Sequence, residues 1–252
     1  MSPTLSVVIP CRNDGDLLAL CLQALGAQTR PPLEVIVVDN GSTDSTIAIA
    51  EAHGARVVTE PVIGIGAAAA AGYNAAQGTI IVRCDADSVP SGDWLEKIAT
   101  RFADDVGLAA LTGPGQFYEV SRWRAAAADL LYMRAYLVLM GAAMAHWPLF
   151  GSNMAFRSEV WEAVRARVHS TDPEVHDDVD LAFALAPGHR TACDFSLRVG
   201  ISPRALIGGA DLRRRFVRAF RTIGLHWRVS PPWQRWVNQL RPAGRRGDYP
   251  AG

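Results

Sequence analysis

Apolar and polar positions come in alternating blocks along the first ninety residues. Residues 5–10 (LSVVIP) form a short, mostly apolar run closed by a proline, which predicts a buried strand. The polar turn Cys11-Arg12-Asn13-Asp14 follows. Residues 17–27 (LLALCLQALGA) then show helical spacing, with Asp14 or Asp16 placed to cap them. Pro31-Pro32 breaks the chain before a second strand at residues 33–38 (LEVIVV). That strand empties into Asp39-Asn40-Gly41-Ser42-Thr43-Asp44, where Ser42 or Asp44 is placed to cap a helix over residues 45–53. A third short strand is expected at residues 56–59. The small residues 67–76 predict a helix packed closely on a sheet. Residues 79–82 predict a buried strand that runs into Asp85-Ala86-Asp87, with Pro90 marking the next turn.

Strand, helix, strand, helix, strand is the rhythm of an α/β protein with a mostly parallel sheet and right-handed crossovers. In such sheets ligands bind beyond the carboxyl ends of the strands. Three polar turns fall there: 12–14, 39–44 and 85–87. Gly64-Ile65-Gly66 argues against a dinucleotide site, because it lacks the third glycine and follows no strand directly.

The pair Asp85 and Asp87 changes the picture most. Carboxylates at the end of a buried strand are costly unless something positive meets them. On extended backbone, positions i and i+2 point the same way, so the two can aim at one divalent cation. The alternative is two solvated loop aspartates, one of them capping a helix near Trp94.

Composition sets the outer bounds. A chain of 252 residues, 49% hydrophobic and 20% charged, is enough for one large domain with a core. Cysteines at 11, 21, 84 and 193 form no CxxC pair, which argues against a disulfide framework or a zinc site and for a reducing compartment. The apolar start is too short for a signal peptide, so a cytoplasmic location is expected. Formal net charge is +0 but unevenly spread. Residues 212–246 hold ten arginines and no acid, which leaves an acidic body with a basic tail.

Taken in order, SVVIPCRND, VIVVDNGSTDST, CDADSVP, GSNMAFR (151–157) and HDDVDLAF (176–183) resemble the signatures of family 2 glycosyltransferases of the GT-A fold. The resemblance covers about residues 5–204 and implies an inverting transferase that uses a sugar nucleotide. It implies that Asp39 contacts the base, and that Pro10, Cys11 and Arg12 lie beside base and ribose. Asp85, Ala86 and Asp87 would complete the donor site. Asp87, with Asp85, would hold a divalent metal (Mn2+ or Mg2+) against the diphosphate. In the acid pair, Asp178 is the expected base and Asp177 its neighbour, the base having a pKa raised by its like-charged neighbour. Gly151, Ser152 and Asn153 would line the acceptor site. His226 is a further candidate metal ligand and His176 a minor candidate for the site.

Two departures from the family pattern stand out. The basic residue and asparagine often found on the helix before the D-x-D strand are here Ala69 and Ala70. Asn40 stands where the family often has a second acid.

The expected organisation is a catalytic domain at 1–204, with a donor half at about 1–110 and an acceptor half at about 111–204. An arginine-rich helical extension follows at 205–252. Residues 135–156 carry no formal charge, but a span there would place Asp87 and Asp178 on opposite sides of a bilayer. A buried or interfacial helix, or a dimer contact, is expected instead. Phe216, Val217, Phe220, Ile223 and Leu225, set among arginines and followed by Trp227, Trp233 and Trp236, predict a basic amphipathic segment. It would rest on an anionic membrane surface, or close over the diphosphate. It contains no recognisable nucleic-acid module. The expected partners are a UDP- or GDP-sugar and a glycan or lipid-linked acceptor. The alternative function is a non-catalytic, membrane-associated binding protein on the same fold.

Overall fold

In a computed structural model, residues 2–118, 134–185, 189–202 and 209–240 are described. The apolar runs become the centre of a seven-stranded sheet of order β3-β2-β1-β4-β8-β6-β9. Its members are β1 (Leu5–Cys11), β2 (Glu34–Asp39), β3 (Arg56–Thr59), β4 (Ile80–Arg83), β6 (Leu108–Thr112), β8 (Met154–Arg157) and β9 (Arg190–Cys193). β1 is buried at every position and pairs in parallel with β2 and β4. Burial on both faces is why these strands carry continuous apolar runs instead of alternation. β8 runs antiparallel between β4 and β6. A small second sheet joins β5 (Val89–Pro90), β10 (Val199–Ile201) and β7 (Gly115–Phe117).

Helices cover the sheet: α1 (Gly15–Gly26), α2 (Thr46–Ala52), α3 (Ile65–Ala75), α4 (Trp94–Asp104), α5 (Arg134–Met144), α6 (Ser158–Val164), α7 (Asp177–Ala184), α8 (Gly209–Val229) and α9 (Pro232–Leu240). The small residues of α3 permit a very close approach to β1 and β2. A Cβ on Gly72 would overlap the Val8 side chain and lie 2.8 Å from Val38 Cγ2.

The loops after β1 and β2 are laced together. Asn13 Oδ1 accepts the Thr43 N–H (2.7 Å), and the Asn13 N–H donates to Ser42 Oγ (3.1 Å). Asp44 accepts from Thr46 at the start of α2 (3.0 Å) and also from the Gly15 N–H of α1 (3.2 Å). The capping acid of α1 is therefore Asp44 from the neighbouring loop. Asp14 occupies the N-cap position without a side-chain cap bond. At α4 the N-cap position is Asp93, so neither acid of the D-x-D serves as that cap.

The uncharged stretch at 135–156 is α5, a reversal at Ala145 (φ 65°) and a loop into β8. Among the described residues no helix is long and apolar enough to cross a membrane. Residues 203–208 and 241–252, at the expected domain boundary and in the basic extension, lie outside the described residues, as do 119–133 and 186–188.

Candidate active site

Three strand ends build the site. β1 delivers Pro10 and Cys11, with the exposed Arg12 just beyond. In register beside Cys11, β2 delivers the buried Asp39, whose Oδ1 accepts the Ser42 N–H (3.0 Å). Burial, with Asp14 nearby, pushes the Cys11 thiol up to about 12, so it is a neutral packing group. Asn40 ties β2 to α3: its amide donates to the carbonyls of Glu60 and Val62 (both 2.8 Å) and accepts the Gly64 N–H (2.8 Å). A carboxylate has no hydrogens to donate to those carbonyls, which explains why an amide stands where the family often has an acid.

β4 ends in a residue that gives the D-x-D its counter-charge. Arg83 is buried, and its guanidinium pairs with Asp177 through Nη1 and with Asp85 through Nη2 (3.2 Å). Nη1 also lies 3.5 Å from the Tyr73 hydroxyl on α3. Burial works against the arginine's charge, but Asp177 and then Tyr73 and Asp85 outweigh it and hold its pKa well above the ordinary value. Ser88 closes the turn by accepting the Asp85 N–H (3.1 Å). Ala86 is buried within it, and Asp87 is half-buried, its carbonyl accepting the Tyr118 hydroxyl (3.1 Å).

The turn 151–153 carries the network to the acid pair. Ser152 Oγ donates to Asp85 Oδ2 (2.5 Å), and the Gly151 N–H donates to Asp178 Oδ2 (2.8 Å). A Cβ on Gly151 would sit 3.1 Å from the Arg83 guanidinium and 3.2 Å from Asp178 Oδ2, so glycine is what lets backbone, cation and carboxylate converge. Asn153 serves the core instead. Its side chain accepts the Trp94 indole N–H (2.9 Å) and donates to the carbonyls of Leu197 (2.6 Å) and Pro114 (3.2 Å), which leaves no amide hydrogen for an acceptor substrate.

The acid pair opens α7. Asp177 faces Arg83; Asp178 is buried between the Gly151 N–H and His176, whose Nδ1 lies 2.6 Å from Oδ1 but off the hydrogen-bond direction. Burial pushes the Asp178 carboxyl up, yet the His176 imidazolium, Arg83 and the Gly151 N–H prevail, and the net shift is downward. The expected rise from a like-charged neighbour is thus reversed by His176, Arg83 and the Gly151 N–H. His176 is raised from 6.5 to about 9: burial opposes its charge, and Asp178 and Asp177 outweigh burial. The His176 N–H donates to Thr222 Oγ1 on α8 (2.9 Å), so a residue of the basic tail fixes the loop that carries the dyad.

Ala69 and Ala70 line a shallow groove with Tyr73, Trp161, His169 and Asp177. No basic side chain of α3 reaches into it; the cation on this side of the site is Arg83. Arg83 is not among the residues singled out from the sequence, although an arginine inside the apolar run IIVR, two residues before an acid, is itself a signal of a buried ion pair. His226 stands beside Asp180 (2.7 Å) and His169, not in a group with Asp85 and Asp87.

The fold is shared with solved glycosyltransferases of the GT-A class. A mannosyltransferase from Pyrobaculum calidifontis, solved with GDP-Man and Mn2+, superposes with TM-score 0.72 at 22% identity, over 95% of this chain and 69% of that one. Glucosyl-3-phosphoglycerate synthase from Mycobacterium tuberculosis, solved with Mn2+, UDP and glucosyl-3-phosphoglycerate, gives TM-score 0.60 at 21% identity, over 89% and 80%. The model of glycosyl transferase family 2 matches residues 6–164, and the chain belongs to that family. An uncharacterized glycosyltransferase of Mycobacterium tuberculosis is 42% identical over 109 residues, 43% of this chain and 47% of the relative. Another uncharacterized glycosyltransferase, from Escherichia coli, is 30% identical over 171 residues, 65% and 48%. The chain spans less than half the length of these curated relatives.

Two outcomes test the electrostatics. Arg83→Met leaves Asp85 and Asp177 without their buried counter-charge and is expected to cost about 3–5 kcal/mol in urea unfolding. A variant as stable as wild type contradicts the central ion pair. For the dyad, a histidine pKa raised in the fold contributes stability that is full below about 6.5 and is lost as pH rises through about 9. The urea midpoint difference between wild type and His176→Gln is therefore expected to be largest near pH 6.5 and to shrink through pH 9. A difference that is flat across that interval refutes the ion pair.

Proposed function

We propose that this chain is an inverting glycosyltransferase, moving a sugar from a nucleotide-diphosphate donor to an acceptor hydroxyl. The supporting observation is the single network that joins the D-x-D to the acid pair: Asp85 to Arg83 and Ser152, Arg83 to Asp177, Gly151 to Asp178. In this reading Pro10, Cys11, Arg12 and Asp39, in a donor half at about 1–110, lie along base and ribose. An acceptor half at about 111–204 brings the acids, and residues 205–252 are the extension.

The donor set fits a hard divalent cation, since Asp85 and Asp87 offer carboxylate oxygens suited to Mn2+ or Mg2+. Asp85 has each oxygen engaged by Arg83 or Ser152, so Asp87 is the principal ligand and Asp85 the positioned second. When bound, the metal neutralises charge building on the leaving diphosphate. Arg83 supplies the site's fixed positive charge in place of the basic residue absent at Ala69. Asp178 takes the acceptor proton on Oδ1, the oxygen without an aligned hydrogen bond. Its depressed pKa keeps it ionised at neutral pH, and the ring of His176 has to turn aside to admit the hydroxyl. The fold relatives above were solved with GDP-Man and with UDP, which favours a GDP- or UDP-sugar as donor, and the acceptor is a glycan or lipid-linked hydroxyl.

The internal neutralisation of Asp85, Asp177 and Asp178 also suits the alternative, a non-catalytic nucleotide-sugar-binding protein. One pair of measurements separates the two. Wild type is expected to show a metal-dependent thermal shift with UDP or GDP and to hydrolyse or transfer the donor sugar. Asp178→Asn should keep the shift and lose about 100- to 10,000-fold in turnover. A shift without turnover in wild type establishes the binding protein, and full turnover in Asp178→Asn removes the base assignment.

The tail supports peripheral attachment to an anionic membrane, at the cytoplasmic face. Trp227 and Trp236 donate indole N–H bonds to the Ala143 and Ala142 carbonyls (3.2 and 3.0 Å), packing α8 and α9 on α5. These elements leave Leu139, Phe216, Phe220, Trp233 and Leu240 exposed, near the exposed Arg213, Arg214 and Arg228. Ile223, Thr222 and Arg235 are buried, so deletion of the tail would open the core; point changes are the cleaner probe. Phe220→Ser with Trp233→Ser is expected to lower cosedimentation with phosphatidylglycerol vesicles at least tenfold, roughly the loss of 1.4 kcal/mol or more of apolar burial. Equal binding by this variant refutes the membrane face, and a shift from dimer to monomer on the same changes assigns the face to self-association.

A further inference from the structure

Beyond the acid pair, α7 carries a third carboxylate that transfer chemistry does not use. Asp180 is fully buried and gathers two histidines from different elements. His169 Nδ1 lies 2.9 Å and His226 Nε2 2.7 Å from the same oxygen, Oδ1. The three ligand atoms all fall within 4.8 Å of one another. The other oxygen, Oδ2, accepts the His169 backbone N–H (2.6 Å), which fixes the carboxylate. Phe183 stacks on the His226 ring at 4.7 Å and 7°, which fixes that imidazole. The His169 ring stands at 82° to it, so both rings present their edges to one point. His169 is half-exposed, which leaves that point an open side.

We propose that His169, Asp180 and His226 form a second metal site, for Zn2+, separate from the donor metal. Two imidazoles and one carboxylate are a borderline-soft set that favours zinc over the manganese or magnesium suited to Asp85 and Asp87. Tetrahedral zinc, with bonds near 2.0–2.2 Å, spaces its ligand atoms by about 3.3 Å, so the side chains spread by roughly half an ångström to admit it. The open side takes a water as fourth ligand. Backbone and ring contacts already orient two of the three ligands, as outer-shell partners do in metal sites. Without metal, the imidazole N–H groups point at Asp180; with it, each turns a lone pair inward.

The site has a structural role at a distance from the chemistry. α8 carries both His226 and Thr222, and Thr222 holds the backbone of His176. Zinc bound across α7 and α8 clamps the helix that positions the His176–Asp178 dyad.

The test uses the full chain, stripped with chelator and titrated with Zn2+ alone against a chromophoric competitor, with no nucleotide present. Wild type and Asp87→Ala are both expected to bind one Zn2+ per chain with similar affinity, which separates this site from the donor site whatever the fate of the transferase reading. His169→Ala is the informative variant because its side chain is half-exposed. Its affinity should fall by at least about 100-fold, at or beyond the upper end of what loss of an outer-shell partner costs. Cobalt supplies a second readout: the visible band of four-coordinate Co2+ is expected in wild type and absent in His169→Ala. Absence of Zn2+ binding in wild type, or zinc affinity and a cobalt band unchanged in His169→Ala, overturns the proposal.

Discussion

The site is organised around one buried positive charge. Arg83 stands where an apolar residue would suit β4, and removing its guanidinium from water is costly unless anions surround it. Asp85 and Asp177 provide that surrounding, and the same contacts fix where those acids point. The end of β4 and the start of α7 are thereby joined through a cation instead of meeting as two repelling sets of carboxylates. The demand extends to Gly151, which has no side chain because the guanidinium lies against its backbone, and to Ser152, which holds the second oxygen of Asp85.

The strand rhythm and the three polar turns were legible because their causes are local: apolar runs, prolines and turn residues lie next to the elements they define. Asp85, Asp87, Asp177 and Asp178 stood out as paired acids for the same reason. What escaped were partnerships across the chain. Arg83 and Asp177 are 94 positions apart, and nothing near either announces the other. The sign of the Asp178 shift was misjudged because pairing with Arg83 and His176 reverses the effect of a charged neighbour. The Asn153 amide resembled a ligand-binding group until Trp94, Leu197 and Pro114 were seen to consume it.

The basic tail belongs to two physical worlds. On one side of α8 and α9, Thr222, Ile223, His226 and Arg235 complete the packing around α7, with Arg235 lying 4.6 Å over the Phe183 ring. Arg214 and Arg221 meet Glu174 and Asp172, so part of the charge imbalance between body and tail is settled within the fold. On the other side, aromatic and aliphatic groups remain in water beside the exposed Arg213 and Arg228.

The bond from the His176 backbone to Thr222 has a consequence for the order in which the protein is completed. A ribosome exposes β1, β2 and β4 early, and the sheet that aims Asp39 and Asp85 can assemble from chain already made. The loop bearing the acid pair gains its last support only when residues 46 positions further on have emerged and α8 has docked. The geometry of the acid pair is therefore a late event in the life of the nascent chain, reached after the fold around it exists.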